Sequence, residues 1–284
     1  MTGRQLEAIE QVLIKEKPDW VLVYGDTNST LAGALAAAKL HIPVAHVEAG
    51  LRSFNRRMPE EVNRILTDHV SERLFAPTKT AVANLEREGI SRDRIELVGD
   101  VMHDAALFYR DRARQPVWFD ALNLGSDAFV LATIHRAENT DDPERLAAIL
   151  DGLGGAQKTV LLPLHPRTRA RIEDYGLSVP ENVHIIEPVG YLEMVWLEIH
   201  ATLVATDSGG VQKEAYFQGK SCVTLRHETE WVELVEAGWN TLAGADTERI
   251  KSAFLAPGVP RGNPFYGDGD AAWKVIHGIM EHLT

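Results

Sequence analysis

The stretch WVLVYGDTNSTLAGALAAAKLHIPVAHV, residues 20–47, decides the fold of this chain. Apolar runs at 20–25 and 43–47 have the length of buried strands, and the alanine-rich segment 29–40 between them has the composition of a helix. Asn28 or Ser29 is suited to cap the start of that helix. Because parallel strands need a crossover connection, this order of elements predicts a right-handed βαβ unit.

The alternation continues on the C-terminal side of this unit. Pro59 opens a predicted helix over EEVNRILTDHV, which is followed by the strand RLFAP, a helix over 80–88 and the strand IELVG. After residue 127 a second series begins, with strands AFVLATI, TVLLPL, VHIIEP, TLVATD and SCVTLR and with helices over 143–153 and 211–218. Two such series predict an α/β protein of two doubly wound Rossmann-like domains that face a cleft.

The domain boundaries follow from the break between the two series. Pro116 and Gly125 interrupt the alternation, so we predict an N-terminal domain over 1–115, a linker over 116–127 and a C-terminal domain over 128–264. The remaining stretch, 265–284, is predicted to be helical and to pack back on the first domain. That domain offers about four strands, fewer than a typical sheet contains, and we expect it to be incomplete.

Composition and charge limit the classes of partner. The chain has 284 residues, a formal net charge of −12 and one cysteine, Cys222. Diffuse negative charge opposes binding to nucleic acid or to an anionic membrane, but a small anionic ligand can still bind at a locally positive site. The sequence shows neither an apolar run of about 18 residues nor a secretory signal, and one cysteine excludes an internal disulfide. We expect a cytoplasmic protein.

Polar side chains cluster after the predicted strands of the first half. Asp26 follows the strand at 20–25, Glu48 and Arg52 follow the strand at 43–47, and Glu60 and Arg64 lie on the helix that comes next. Each group alone has a structural explanation, namely a capped turn, an ion pair, or a solvated helix pair four residues apart. Ligands of doubly wound sheets bind beyond the carboxyl ends of the strands, so three carboxylates with nearby arginines predict a site.

The second half carries similar signals. His135 and His165 each follow a predicted strand, although a lone histidine is more often structural. The segment TDSGGVQKEA runs from a strand through two glycines, Gly209 and Gly210, into a helix. Backbone N–H groups and the helix N-terminus at such a turn can bind a diphosphate, although a tight βα turn without a ligand has the same pattern. The spacing matches neither a P-loop nor the GxGxxG dinucleotide motif.

Six ordered motifs resemble the non-hydrolysing UDP-N-acetylglucosamine 2-epimerases. They are GDTNST, PVAHVEAGLRS, MPEEVNR, HRAEN, TDSGGVQKEA and ETEWVELVEAG, and they cover nearly the whole chain. The resemblance implies the two-domain glycosyltransferase-B fold and the interconversion of UDP-GlcNAc and UDP-ManNAc, a precursor step for cell-surface polysaccharides, through a 2-acetamidoglucal. It further implies a homodimer that binds a UDP-sugar and uses neither a metal nor a nicotinamide cofactor.

The resemblance also assigns roles to individual side chains. The family's catalytic positions are matched by Asp26, Glu48, Glu60, Arg64 and His135. Its UDP-binding positions are matched by Ser208, Gly209, Gly210, Glu214, Arg226, Pro188 and Tyr191. Arg52 and His165 match, more loosely, positions that contact the substrate or an allosteric ligand. Within the second group, Glu214 matches the ribose-binding acid, and Pro188 and Tyr191 match the uracil site.

Two features of the sequence depart from the family pattern. Lys213 stands where the family commonly has an acid. In addition, no segment like the family's first strand and its GTRPE-like turn precedes Met1. The activity of this chain alone is therefore open.

Three different functions are also compatible with these motifs. A related enzyme epimerises UDP-2,3-diacetamido-2,3-dideoxyglucuronate, whose carboxylate could meet Arg52, Arg56 and Arg57. A hydrolysing 2-epimerase would release free UDP and ManNAc from UDP-GlcNAc. A non-catalytic module would bind a UDP-sugar without converting it.

Overall fold

The computed structural model describes residues 1–257 and 265–281. Over these residues the chain forms two compact units, the first from Met1–Ala105 and the C-terminal stretch Pro264–Thr284, the second from Ala106–Asn263. The predicted boundary at residue 264 and the last three positions of the predicted terminal helix lie outside the described residues.

The first unit is built on four parallel strands in the order β1-β2-β3-β4. Its sequential order places the polar turns after β1 and β2 side by side, because the carboxyl ends of parallel strands share one edge of the sheet. The elements from the N-terminus are α1 (Thr2–Glu16), β1 (Val21–Tyr24), α2 (Asn28–Lys39), β2 (Val44–Val47), α3 (Pro59–Val70), β3 (Arg73–Ala76), α4 (Lys79–Arg87), β4 (Ile95–Leu97) and α5 (Val101–Arg110), inside which the unit ends.

The second unit is built on six parallel strands in the order β10-β9-β8-β5-β6-β7. The chain leaves β5 in one direction and returns on its other side at β8, so β5 and β8 form the switch point at which such sheets bind ligands. The further elements are β5 (Phe129–Thr133), α6 (Ala137–Thr140), α7 (Pro143–Gly154), β6 (Thr159–Pro163), α8 (Pro166–Asp174), β7 (Val183–Ile186), α9 (Tyr191–His200), β8 (Leu203–Thr206), α10 (Gly209–Phe217), β9 (Cys222–Thr224), α11 (Val232–Glu236), β10 (Asn240–Leu242), α12 (Thr247–Leu255) and, in the first unit, α13 (Ala271–Met280).

The prediction of an α/β chain with two parallel-sheet series is confirmed. Helices pack against strands of both sheets, but the edge strand β1 of the first sheet leaves Leu22 38% and Tyr24 56% exposed. In the first unit Gly278 of α13 lies close against Phe75 of β3, since a Cβ atom at Gly278 would be 2.7 Å from the ring. The helix therefore packs on the first sheet through its small residue.

The segment 116–127, predicted as a linker, lies within the second unit. Phe119 is buried there, with its ring 4.7 Å from that of Trp196 and 5.5 Å from that of Phe129. Proline and glycine interrupt regular structure in this stretch, but the aromatic side chain between them belongs to the core. Composition correctly indicated irregular backbone in this segment, but it did not indicate that the Phe119 side chain is buried in the core.

The start of α2 differs by one position from the expected cap. Thr27, rather than Asn28 or Ser29, is the N-cap residue, and its hydroxyl accepts the backbone N–H of Thr30 at 3.3 Å. The hydroxyl of Thr30 accepts the N–H of Thr27 at 3.2 Å, which completes a reciprocal capping arrangement. Thr27, Asn28 and Ser29 are all residue types that cap helices. The helix begins after Thr27 because Thr30, three residues later, completes the capping arrangement with it.

Cys222 is buried in β9, where its Sγ lies 3.9 Å from the hydroxyl oxygen of Thr224. Burial raises the pKa of this thiol to about 12, because the thiolate is poorly solvated in the sheet. Within residues 1–257 and 265–281, none of the helices combines the length and the apolar character that crossing a membrane requires.

Candidate active site

The turn after β1 carries Asp26, whose carboxylate forms an ion pair with the guanidinium group of Arg64 on α3. Arg64 is almost fully buried and also contacts Glu61, with Nη1 3.0 Å from Oε2. A buried guanidinium group that holds two carboxylates is fixed in direction. The pair therefore sets the orientation of Asp26 at the carboxyl edge of the sheet.

Glu61 links this ion pair to the loop that precedes α3. Its carboxylate accepts the backbone N–H groups of Ser53 and Phe54, each at 2.9 Å, in addition to the contact with Arg64. The helical spacing predicted that Arg64 shares a face with Glu60, four residues earlier. The structure pairs it with Glu61, three residues earlier, because Glu61 is the one that points into the unit and is buried.

The backbone of the same turn is held as well as its side chain. Asn63 of α3 donates its side-chain N–H to the carbonyl oxygen of Asp26 at 2.9 Å and to Oδ1 of Asn28 at 3.2 Å. Gly25, with φ of 64°, provides the left-handed conformation that turns the chain out of β1. Asp26 is thus fixed through its carbonyl group and its carboxylate.

Glu48 follows β2 and lies next to this turn. Its φ of 73° is a left-handed conformation that is uncommon outside glycine and is found at functional sites. A Cβ atom on Gly25 would be 3.4 Å from Oε2 of Glu48, so the carboxylate lies against the glycine that precedes Asp26. Glu60, at the start of α3, is half-buried and makes no hydrogen bond or ion pair to another described residue.

A buried charge network lies beneath these carboxylates. His46 contacts Asp68 with Nδ1 2.7 Å from Oδ1, and Arg52 contacts the other oxygen of Asp68 at 2.7 Å. Arg52 also forms a bidentate pair with Glu88 of α4, both distances being 2.7 Å. The interpretation of Arg52 as a ligand contact is therefore not supported by its position, because its guanidinium group is buried and binds two protein carboxylates.

The network fixes the ionisation of its members. Burial opposes the charged form of Asp68, but the hydrogen bond and charge of His46 and the charge of Arg52 lower the pKa of Asp68 below its usual value. Burial likewise opposes the charge of Arg52, and Glu88 and Asp68 raise the pKa of its guanidinium group. Asp68 and Arg52 each have two oppositely charged partners, and removing Asp68 would leave the buried His46 without its carboxylate partner.

In the second unit, Asp207 and His135 meet at the switch point between β5 and β8. Asp207 is fully buried and accepts the backbone N–H groups of His135 and Arg136 and the side-chain N–H of Asn139 at 3.0–3.2 Å. Burial opposes ionisation, but the His135 contact at 3.1 Å and these hydrogen bonds lower the pKa of Asp207. The imidazole of His135 remains half-exposed at the edge of the sheet.

The glycine turn after β8 begins α10. Ser208 is its N-cap residue, and the hydroxyl oxygen accepts the N–H of Val211 at 3.3 Å. A Cβ atom on Gly209 would be 2.5 Å from Oε1 of Glu230, and the indole N–H of Trp231 donates to the Gly209 carbonyl oxygen at 3.0 Å. The Glu230 carboxylate therefore lies directly against Gly209, and the N–H groups at the start of α10 suit an anion.

Two cations lie inside the unit near this turn. Arg226 is buried after β9 and forms an ion pair with Glu230 at 3.1 Å. Lys213 of α10 is buried with its Nζ 4.1 Å from the centre of the Trp231 ring, a cation–π contact. Trp231 therefore contacts both Lys213 and the Gly209 carbonyl group.

Tyr191 and Glu214 lie close enough to interact electrostatically. Burial and the charges of Glu214 and Glu198 raise the pKa of Tyr191 to about 12. The Tyr191 ring makes an edge contact with that of Tyr109, with the ring centres 5.3 Å apart. Burial also raises the pKa of Glu214, although the charge of Lys213 opposes this shift. The positions predicted for the uracil and the ribose are thus neighbours, with Pro188 exposed three residues before Tyr191.

Glu198 on α9 is a buried acid that the sequence analysis did not identify. It is 1% exposed, and neither carboxyl oxygen has a hydrogen-bond partner among the described residues. Burial and the nearby Glu214 raise its pKa well above the usual value. Glu198 occupies a position of α9 that the helical periodicity places on its apolar face. The only signal in the sequence was therefore an acidic residue within an otherwise apolar helix.

We expect Glu198→Gln to stabilise the protein at neutral pH by roughly 1–3 kcal/mol, because the folded state no longer has to take up a proton. A raised folded pKa means that stability is highest below the unfolded value and falls as pH rises toward the folded value. Urea denaturation at several pH values between 5 and 8 should show a gain that grows with pH. The exposed Glu181→Gln serves as a matched control with no gain; a constant gain for Glu198→Gln would contradict the explanation.

The remaining predicted position is His165, the N-cap residue of α8. Its ring nitrogen accepts the N–H of Arg167 at 3.2 Å, and the side chain is exposed. Among the side chains that sequence reasoning missed, Glu61, Asn63 and Asp207 act by holding the predicted ones. Across the part of the chain that the structure describes, no three histidine, cysteine or acidic side chains come together as a metal ion would require.

Comparison with known proteins identifies the class. The family model for UDP-N-acetylglucosamine 2-epimerase matches residues 1–280. The chain is 56% identical to the UDP-2,3-diacetamido-2,3-dideoxy-D-glucuronate 2-epimerase of Pseudomonas aeruginosa, over 97% of this chain and 78% of that protein. It is 47% identical to the UDP-N-acetylglucosamine 2-epimerase of Methanocaldococcus jannaschii, over 97% of this chain and 79% of that protein.

Solved structures give the same result. The M. jannaschii UDP-GlcNAc 2-epimerase in complex with UDP-GlcNAc and UDP has a TM-score of 0.89 and 44% identity, over 99% of this chain and 80% of that chain. The Neisseria meningitidis enzyme bound to UDP-GlcNAc has a TM-score of 0.85 and 34% identity, over 99% and 81%. Fold and sequence together define an isomerase of the sugar-nucleotide 2-epimerase class. The chain belongs to the UDP-N-acetylglucosamine 2-epimerase family.

Proposed function

We propose that this chain interconverts UDP-GlcNAc and UDP-ManNAc by eliminating UDP and adding it back after inversion at C2. The observation that carries the proposal is the pair of carboxylates, Asp26 and Glu48, at the ends of neighbouring strands, with Arg64 fixed on Asp26. The M. jannaschii and N. meningitidis relatives, whose structures contain UDP-GlcNAc, support the same substrate class.

The chemistry explains why several acids are needed. The C2 proton of an N-acetylhexosamine is not acidic, because no carbonyl group is bonded to C2. A base removes this proton, the C–H electron pair forms the C1–C2 double bond, and UDP leaves with the electron pair of the C1–O bond. The product, 2-acetamidoglucal, then receives a proton on the opposite face of C2 while a UDP oxygen bonds to C1. A base and an acid on two faces are therefore required.

In this proposal Asp26, Glu48 and Glu60 share the two proton transfers. Arg64 orients Asp26, and Glu61 holds Arg64 in place, as the distances of 2.9–3.0 Å around Glu61 indicate. Such bracing keeps a catalytic group in position without reorganisation during the reaction.

The second unit provides the groups that bind UDP. The N–H groups of Gly209 and Gly210 and the positive end of α10 stabilise the diphosphate, which carries the charge of the leaving group. The hydroxyl of Ser208 and the half-exposed imidazole of His135 lie at the same edge of the sheet. The remaining contacts are a ribose site at Glu214, a uracil site at Pro188 and Tyr191, and a buried positive charge at Arg226.

One observation favours a second candidate substrate. Arg56 and Arg57 are exposed in the loop before α3, and neither guanidinium group forms an ion pair with a described residue. The P. aeruginosa relative, 56% identical, is a UDP-2,3-diacetamido-2,3-dideoxy-D-glucuronate 2-epimerase. Two available cations suit the carboxylate of such a uronate.

The test is turnover of each UDP-sugar in deuterated water, followed by proton and phosphorus NMR. We expect the 2-epimer with deuterium at C2 and UDP only in catalytic amounts. Free UDP in an amount equal to the consumed substrate would indicate a hydrolysing enzyme instead. Binding by calorimetry without any epimer or deuterium exchange would indicate a UDP-sugar-binding module and overturn the proposal.

The double variant Arg56→Gln and Arg57→Gln separates the two substrates. If the uronate is the substrate, kcat/KM for it should fall about tenfold or more, as expected for the loss of one charge-assisted hydrogen bond. Turnover of UDP-GlcNAc should change little, since it has no carboxylate. Equal effects on both substrates would show that the arginines do not recognise a uronate.

A further inference from the structure

His46 is a histidine within β2 that the proposed reaction does not use. Its side chain is 0% exposed, and both ring nitrogens have partners. Nδ1 lies 2.7 Å from Oδ1 of Asp68, and Nε2 lies 2.8 Å from the carbonyl oxygen of Gly25. The second partner immediately precedes Asp26 in the chain.

The partners determine where the ring protons are. A carbonyl oxygen only accepts hydrogen bonds, so Nε2 must carry a proton. The other carboxylate oxygen of Asp68 contacts Arg52 at 2.7 Å and accepts the Gly50 N–H at 3.1 Å. These contacts keep the Asp68 carboxyl group ionised, so both of its oxygens act only as acceptors. Nδ1 must then carry a proton too, because a lone pair would face a carboxylate oxygen.

We propose that His46 is a permanent imidazolium ion that acts as a positioning residue for Asp26, through the carbonyl group of Gly25. The proposal rests on the role given to Asp26 above. Asp26 would then be held at three points, by His46 at the preceding peptide, by Asn63 at its own carbonyl group, and by Arg64 at its carboxylate.

The surroundings of His46 agree with this charge. Burial opposes protonation, but the hydrogen bond and charge of Asp68, the Gly25 carbonyl group and the charge of Glu48 raise the pKa of His46 above 6.5. Asp68 comes from α3 and Glu48 from the end of β2 itself, while β1 and β3 place Val23 and Leu74 at the paired positions. The charge of His46 thus lies beside the peptide group that precedes Asp26, and it interacts with the charge of Glu48.

Two substitutions separate the two hydrogen bonds of His46. The side-chain amide of His46→Gln can reach the position of Nε2 and donate to the Gly25 carbonyl group. The shorter His46→Asn can reach only the position of Nδ1 and donate to Asp68. If the contact with Gly25 positions Asp26, His46→Gln should retain kcat within about tenfold, whereas His46→Asn should lose roughly 100-fold, the effect of misplacing a catalytic group.

If His46 served only to stabilise the fold, His46→Asn should be the more active of the two variants, since the hydrogen bond to Asp68 would then be the one that matters most. Exposed His184→Gln on β7 is the matched control and should leave kcat and UDP affinity unchanged. UDP affinity should also be unchanged in both His46 variants, because the proposed UDP contacts belong to the second unit. Equal activity of the two variants, or higher activity of His46→Asn, would overturn the proposal.

Nitrogen-15 NMR of labelled histidine tests the charge independently of turnover. We expect both ring nitrogens of His46 to be protonated at pH 7, in a signal that His46→Asn removes. Backbone amide signals of Gly25 and Asp26 should move in His46→Asn and stay near their positions in His46→Gln. This pattern in a chain without epimerase activity would overturn the proposed function alone, whereas an unprotonated ring nitrogen would overturn the imidazolium.

Discussion

Replacing Asp26 by asparagine should lower kcat by about 10²–10⁴-fold, the usual contribution of a group that transfers a proton. Asparagine keeps the shape of the side chain and can still accept a hydrogen bond from Arg64, but it cannot act as a base. Arg64 also remains paired with Glu61 at 3.0 Å, so the loop before α3 should stay in place.

The measurement is steady-state turnover together with UDP affinity by calorimetry. UDP should bind as tightly as it does to the wild type, because the groups proposed to hold it lie in the second unit. Asp19→Asn, an exposed acid just before β1, is the matched control and should have normal turnover. Turnover of Asp26→Asn within a few-fold of wild type would exclude Asp26 as a proton-transfer group.

We expect Gly50→Ala to lower the stability of the first unit more than any other addition of a single methyl group. Gly50 has a φ of 83°, and a Cβ atom there would be 2.8 Å from the backbone carbonyl carbon of Ala81 and 2.9 Å from Cγ of Leu85. The left-handed conformation costs about 1–2 kcal/mol for an L-residue, and overpacking adds about 1–3 kcal/mol. We therefore expect the free energy of unfolding to fall by about 2–5 kcal/mol.

Gly89→Ala is the matched control for this effect. Gly89 has nearly the same φ, 82°, but a Cβ atom there would meet nothing within 4 Å. Urea denaturation of the two variants separates the cost of the backbone conformation from the cost of the collision. Equal losses in the two variants would mean that α4 moves aside and that the close approach at Gly50 is not needed.

Much of the fold followed from local sequence patterns. Apolar runs and helix signals located the four strands of the first sheet and five of the six strands of the second, all but β10, because buried parallel strands form continuous apolar runs and the helices between them begin with residues such as Pro59. The helices α1, α5, α6, α8, α9, α11 and α12 were not predicted. The start of α1 carries no side-chain cap, but α5 has one, since Oδ1 of Asp100 accepts the N–H of Met102 at 2.7 Å. The aromatic core contact of Phe119 depends on residues distant in the sequence and could not be seen in the segment 116–127.

The candidate site was predictable in its exposed groups and not in their supports. Asp26, Glu48 and the glycine turn stand directly after strands, where the topology itself brings polar residues together. The partners of Arg52 and Arg64 depend on which face of α3 is buried, and a shift of one residue, from Glu60 to Glu61, changes the assignment. Buried ion pairs between helices and strands leave no periodic pattern in the sequence, so the network around Asp68 could be recognised only in the three-dimensional structure.

The burial of Cys222 has a practical consequence for experiments on this enzyme. A thiol that is enclosed in β9, and whose pKa is raised to about 12, presents almost no thiolate to a maleimide reagent at neutral pH. The unaltered chain can therefore serve directly as the background for fluorophore labelling. Two cysteines introduced at exposed positions would take the dyes selectively, and the distance between the two dyes could be followed while a UDP-sugar is added.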